Sequence, residues 1–110
     1  MTLADCIIFI DAEALVQSRE NCTWLSITGY GRGEPEAQWI AYGDDAGVAG
    51  GLSQALYAAT GQRGFVGDAI ADPLTGLHAA LAAIAALTSG GSHLLSVPMR
   101  DVVAHVVQHA

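Results

Sequence analysis

Asp72-Pro73-Leu74-Thr75-Gly76-Leu77-His78-Ala79-Ala80-Leu81-Ala82-Ala83-Ile84-Ala85-Ala86-Leu87-Thr88 reads as a single long helix. An Asp can cap the orphan amides of a helix start, and a proline at the first helical position lacks only an N–H that would be unpaired there anyway. The helix is therefore expected from Pro73 to about Thr88, with Asp72 as its cap. Leu74, Leu77, Leu81, Ile84 and Leu87 recur at three- and four-residue spacings, but Ala at 79, 80, 82, 83, 85 and 86 leaves almost no polar face. Such a helix is expected to be buried on most sides, which requires other elements to cover it.

Those elements follow on either side. Ser89-Gly90-Gly91-Ser92 breaks the helix, His93-Leu94-Leu95-Ser96-Val97 has strand composition, and Pro98 opens a last helix to about Gln108. Upstream, Thr60 to Gly64 is a polar turn before the short apolar piece Phe65-Val66. A helix is expected from Asp44 or Asp45 to about Ala59. Its glycines at 47, 50 and 51 each cost up to ~1 kcal/mol relative to Ala, which points to close helix packing. Thr23-Trp24-Leu25-Ser26-Ile27-Thr28 is a β-branched and aromatic strand, and Gly29 to Glu36 is a glycine-broken loop leaving its end. Asp11 can cap a helix from Ala12 to Arg19 that stops near Asn21, and Cys6-Ile7-Ile8-Phe9-Ile10 is a short apolar strand. Three short strands among helices give an α/β class, a partial, mostly parallel sheet with packing helices. Residues 1–110 are expected to form one partial domain.

Composition narrows the partners. Apolar residues make up 52% and charged ones 14%, where an ordinary soluble domain has about 25% charged. Disorder is excluded, and an isolated monomer is disfavoured. Four arginines and no lysine against eleven acids leave a net charge of −7, so there is no cationic footprint for nucleic acid or an anionic membrane. The most apolar stretch, Ala79 to Leu87 with its flanks, falls short of the roughly 20 residues that span a bilayer, and Met1 to Asp5 has no basic leader. Cys6 and Cys22 have neither metal nor redox spacing. Together these place the chain in the cytoplasm, with reduced thiols.

Several local patterns suggest chemistry, each beside a plainer reading. Gly29-Tyr30-Gly31-Arg32-Gly33 could approach a phosphate, but it lacks the Walker lysine and the dinucleotide fingerprint, and a plain turn suffices. His105 and His109 could share a helix face and a metal, yet no Cys or acid lies at a matching spacing; surface histidines are the simpler reading, and no metal is expected. Asp44-Asp45 could be a carboxylate pair, but adjacent acids at a helix start are ordinary capping. Asp72, between Ala71 and Pro73, would be ionised yet poorly hydrated, the state that suits a carboxylate nucleophile, while a plain cap remains the alternative.

Read together, Trp24-Leu25-Ser26-Ile27-Thr28-Gly29-Tyr30-Gly31, then Gly67-Asp68-Ala69-Ile70-Ala71-Asp72-Pro73-Leu74-Thr75-Gly76-Leu77-His78, Ala82 to Leu87 and Val97-Pro98-Met99-Arg100-Asp101, resemble the middle of family III CoA-transferases over about residues 11 to 107. The resemblance implies an enzyme that moves CoA between carboxylic acids through an aspartyl-CoA thioester, with coenzyme A as substrate rather than bound cofactor. Asp72 falls on the nucleophile, and Thr28, Gly29 and Tyr30 fall on the segment lining the CoA thiol arm. By the same resemblance, Gly76 allows a close helix approach and His78 is structural. The implied partners are an acyl-CoA and a carboxylic acid, and a second copy or complementing chain, since the family forms interlocked dimers. Acyl-CoA racemases of the same family carry a His-Asp pair where this chain has Tyr42-Gly43-Asp44-Asp45, which disfavours racemisation. The family's nucleotide-binding part and later glycine-rich loop have no counterpart in the sequence, and four scattered arginines suit the phosphates of CoA poorly. A truncated enzyme is therefore expected, with a noncatalytic packing module or an inactive relic as rivals.

Overall fold

Capping chemistry sets the first described element. In the computed structural model, which describes residues 11–110, the Asp11 carboxylate accepts the Ala14 N–H at 3.0 Å and starts helix α1, Ala12–Ser18. Ala12 and Val16 face inward from it. Asn21, at φ 54°, takes the left-handed turn that a short polar side chain tolerates and sends the chain into strand β1, Thr23–Thr28.

β1 pairs in parallel with β2, His93–Pro98, from Thr23 opposite His93 to Thr28 opposite Pro98. A parallel pair needs a long crossover, and residues between the strands supply three helices for it. These are α2 (Gly43–Ala49), α3 (Leu52–Thr60) and α4 (Ala71–Ser89). After β2, Pro98 caps α5, Met99–His109. Five helices and a two-stranded parallel sheet make the described residues α/β. The strand expected over Cys6–Ile10 lies outside them.

Two helices depart from expectation. The single helix expected from Asp44 to Ala59 is two, because Gly51 turns left-handed at φ 100°. Gly50 just before it packs so closely on Val103 of α5 that a Cβ there would overlap it. The glycines do serve close packing, at the cost of helix continuity. In α4 the cap is Ile70, not Asp72, which sits inside the first turn. The first helical bond to form is Leu74 N–H to the Ile70 carbonyl, at 3.3 Å. Pro73 therefore occupies another first-turn position whose N–H would be unpaired, and the sequence rule that put it first cannot tell these positions apart.

Nor is α4 buried on most sides. Ala71, Thr75, Ala79 and Ala86 are buried, while Leu77, Leu81, Ile84 and Leu87 point outward. The small residues win the inner side because they let α4 approach α2, α5 and both strands closely. At 19 residues α4 is also long and apolar enough, by length and composition, to cross a membrane. The apolar stretch is thus longer than Ala79 to Leu87, since Thr75, Gly76 and His78 interrupt it without adding a fixed charge.

Two small clusters form the core. Ala46, Ala71, Met99 and Val103 join α2, α4 and α5, and Ala79, Val97 and Val102 join α4 and α5 to β2. Leu74 packs against both. This core fixes the start of α4 and the start of α5 beside the carboxyl ends of the strands, where open parallel sheets build their sites.

Candidate active site

At the end of β1 the backbone is tightly folded. The Thr28 hydroxyl accepts the Gly31 N–H at 3.0 Å, and the Gly29 carbonyl accepts the Arg100 N–H at 3.1 Å, tying the first turn of α5 to the strand end. Gly29 lies against Ala41 closely enough that a Cβ would overlap the alanine methyl. The Tyr30 ring meets Trp39 edge to face at 5.6 Å, and the Arg100 guanidinium stands 5.9 Å from the tyrosine centroid. Thr28, Gly29 and Tyr30 are all half-buried.

Asp72 lies in the first turn of α4, where the unpaired amides carry partial positive charge that favours an anion. Its carboxylate rests on the backbone of Gly43, the first residue of α2, so that no side chain could stand at 43 without displacing it. The segment Ala41-Tyr42-Gly43 thus touches Gly29 at one end and Asp72 at the other. This is how the structure relates the two parts of the sequence-predicted site: through a shared three-residue bridge. Asp72 as a whole is an exposed residue, with one carboxylate oxygen set against Gly43. Poor hydration was expected from apolar neighbours in the chain, but Ala71 turns into the core while Asp72 turns outward, so sequence neighbours do not become spatial ones.

Asp44 and Asp45 differ in what they do. Asp45 accepts the Tyr42 N–H at 3.2 Å, the capping role expected of the pair. Asp44 reaches across to the turn before α4 and accepts the Ala69 N–H at 2.9 Å. A carboxylate at a helix start gives no sequence signal for such a long-range bond.

Arg32 and Arg100 gather near the strand ends, which an even scatter of arginines would not predict. Arg32 pairs with Glu13 at 3.1 Å and contacts Ser26 at 3.4 Å, and Arg100 pairs with Asp101 at 2.9 Å. Arg100 could have been found from its place two residues after the Val97-Pro98 strand end, where a first-turn residue faces the same edge of the sheet.

Three of the four histidines form a separate cluster between α4 and α5. The His78 ring lies 6.0 Å from His105, which lies 4.3 Å from His109. His78 Nδ1 is 2.8 Å from the Leu74 carbonyl and His109 Nδ1 is 2.7 Å from the His105 carbonyl, intrahelical bonds that hold the rings. Among the described residues no group of three His, Cys, Asp or Glu converges closely enough to hold a metal ion.

Three hollows can be placed relative to this site. A hollow of about 660 Å³ is lined by Val16 to Asn21 with Gly91 and Ser92, at the opposite end of the strands. Another, of about 520 Å³, is lined by residues including Ser53, Tyr57 and Arg63. Beside Asp44, a cleft bounded by Gly43, Gly47, Phe65 and Ile70 holds only about 10 Å³, the room of a single water. None of the three is lined by Asp72 or by Thr28 to Tyr30.

The described residues are thus α/β, with a parallel strand pair whose ends lie beside the start of α5. The chain belongs to CoA-transferase family III, whose family model matches residues 8–109. No curated protein and no solved structure matches it.

Proposed function

We propose that the chain transfers CoA between carboxylic acids with Asp72 as the nucleophile, and that Thr28, Gly29 and Tyr30 border the thiol arm of CoA. Family membership supports the CoA-transferase-like function. The observation that carries the residue assignment is Asp72 itself, an exposed residue in the first turn of α4 whose carboxylate is seated on bare backbone at Gly43 of α2. A thioester approaching from solvent can reach Asp72, whose carboxylate is the attacking group.

The chemistry balances on this carboxylate. An Asp72 oxygen attacks the thioester carbonyl of the acyl-CoA, the C–S bond breaks, and CoA leaves as the thiolate with a mixed anhydride on the enzyme. The thiolate then attacks the Asp72 carbonyl of that anhydride, expelling the donor carboxylate and leaving an aspartyl-CoA thioester. The acceptor carboxylate enters by the same two steps in reverse, restoring Asp72. No oxidant, reductant or net proton is consumed, and coenzyme A is a substrate throughout.

Incubating the chain with an acyl-CoA and recording intact-mass spectra tests this reading. A covalent CoA adduct is expected on the wild-type chain and none on Asp72→Ala. An adduct that persists in Asp72→Ala moves the nucleophile elsewhere, and no adduct with any donor sinks catalysis by this chain.

A second reading is favoured by the outer side of α4. Leu77, Leu81, Ile84 and Leu87 form an apolar row without a cover among the described residues, as a packing module or a part of a larger assembly would. In this reading the chain is noncatalytic, and a second copy or a complementing chain supplies the missing contacts. A stable complex recovered on co-expression with a candidate partner supports it, and a soluble lone monomer argues against it. Either way a cytoplasmic location is the setting in which acyl-CoA would be met.

A further inference from the structure

The turn that delivers Asp72 contains a strained residue. Ala69 sits at φ 47°, a left-handed conformation that a residue with a Cβ adopts only when its surroundings hold it. Its N–H donates to the Asp44 carboxylate at 2.9 Å, and its carbonyl accepts the Asp72 N–H at 3.0 Å. Its backbone also crowds Gly43, the residue on which the Asp72 carboxylate rests. Two consecutive residues in the first turn of α2 therefore act on the same neighbour: Gly43 receives the Asp72 side chain, and Asp44 holds the peptide that fixes the Asp72 main chain. Asp45 already caps α2, so the Asp44 carboxylate is free of that task.

We propose that Asp44 is the positioning residue for Asp72: by holding Ala69 left-handed, it sets where α4 begins and where the Asp72 carboxylate lies. The catalytic part of this inference rests on the nucleophile reading above; the structural part stands independently of it. Glycine adopts a positive φ without support, which makes a rescue possible. If Asp44 acts by holding Ala69, then Ala69→Gly should relieve the need for it.

The experiment compares the full-length wild type, Asp44→Ala, Asp44→Asn and the double variant Asp44→Ala with Ala69→Gly. Two quantities are read: amide exchange at Ala69 and Asp72, and the rate of CoA adduct formation with acetyl-CoA. Asp44→Ala should exchange at both amides at least about tenfold faster while the β1 amides keep their protection, and should form adduct about tenfold more slowly, in keeping with the sensitivity of reaction to small misplacement. Asp44→Asn keeps an acceptor oxygen and should restore both readouts. The double variant should restore exchange at Asp72 and most of the adduct rate. Unchanged exchange in Asp44→Ala overturns the proposal, as does a double variant no better than the single one. If Asp44→Ala does not fold, a folded double variant supports the proposal and an unfolded one overturns it. A wild-type chain that forms no adduct counts against the nucleophile reading alone, and the exchange results then decide the role of Asp44.

Discussion

The inner stripe of α4 is made of Ala71, Thr75, Ala79 and Ala86 and is buried, while the outer row, Leu77, Leu81, Ile84 and Leu87, is 61 to 71% exposed. Apolarity alone would have placed the larger side chains inside. Closeness decided otherwise: α4 meets two helices and two strands along one side, and only small residues let so many backbones converge. Burying a leucine-sized side chain contributes about 1.5 to 3 kcal/mol, so the outer row holds more unused stabilisation than the inner stripe supplies. Among the described residues, small side chains organise this helix's contacts and its large ones lie exposed.

The first way to break this comparison is to enlarge a small residue at a close contact between the helices that α4 packs against. Gly50 is buried against α5, and a Cβ there would overlap Val103, itself fully buried, and come within 2.8 Å of the Arg100 carbonyl. Gly50→Ala should destabilise the chain by about 2 to 3 kcal/mol, since backbone cannot yield as a flexible side chain would. Thermal unfolding should show the midpoint falling by roughly 10 to 20 °C in a domain this size. An unchanged midpoint would mean that the small residues are incidental.

A smaller effect of opposite sign is expected at Thr75. It is 1% exposed, and its hydroxyl has no hydrogen-bond partner among the described residues. A buried unpaired hydroxyl costs about 1 to 3 kcal/mol, and valine has the same shape without it. Thr75→Val should raise stability by about 1 kcal/mol, after allowing for the similar helix propensities of the two residues. Destabilisation in the same unfolding assay would show that the hydroxyl has a partner in solution, and with it that the inner side is wetter than the outer-versus-inner contrast implies.

Much of this architecture was legible in the sequence, for reasons that differ along the chain. Asp11, β1 and Pro98 were readable because capping, β-branching and proline act within a few residues. The family was readable because ordered segments from Trp24 to Asp101 recur in it together, and the family match bears that out. The break at Gly50 and Gly51 was half readable: the glycines announced close contact, which Gly50 makes with Val103, but not that Gly51 would turn left-handed and end the helix. The outer face of α4 was misread because a hydrophobic pattern gives the apolar residues and not which of them finds a neighbour. Asp44 was opaque for the same reason, since its partner Ala69 lies twenty-five residues on. The candidate site was named from the sequence alone, and its geometry, with Asp72 exposed and joined to Gly29 through Ala41-Tyr42-Gly43, comes only from the crossover that places α2 against the start of α4.

The smallest expected change sharpens the comparison most. Leu81 is 68% exposed at the centre of the outer row, and glutamine fits a helix about as well as leucine. In dilute solution Leu81→Gln should alter the stability of the lone chain by no more than about 0.5 kcal/mol, as surface substitutions usually do. Unfolding scans of both forms across a range of protein concentrations separate the possibilities. Matching midpoints at every concentration would show the outer row facing water in the lone chain. A wild-type midpoint that rises with concentration, while that of Leu81→Gln stays flat, would show a second copy covering the row. A loss as large as that from Gly50→Ala at high dilution would put Leu81 inside the folded chain, and the contrast between the two sides of α4 would fail.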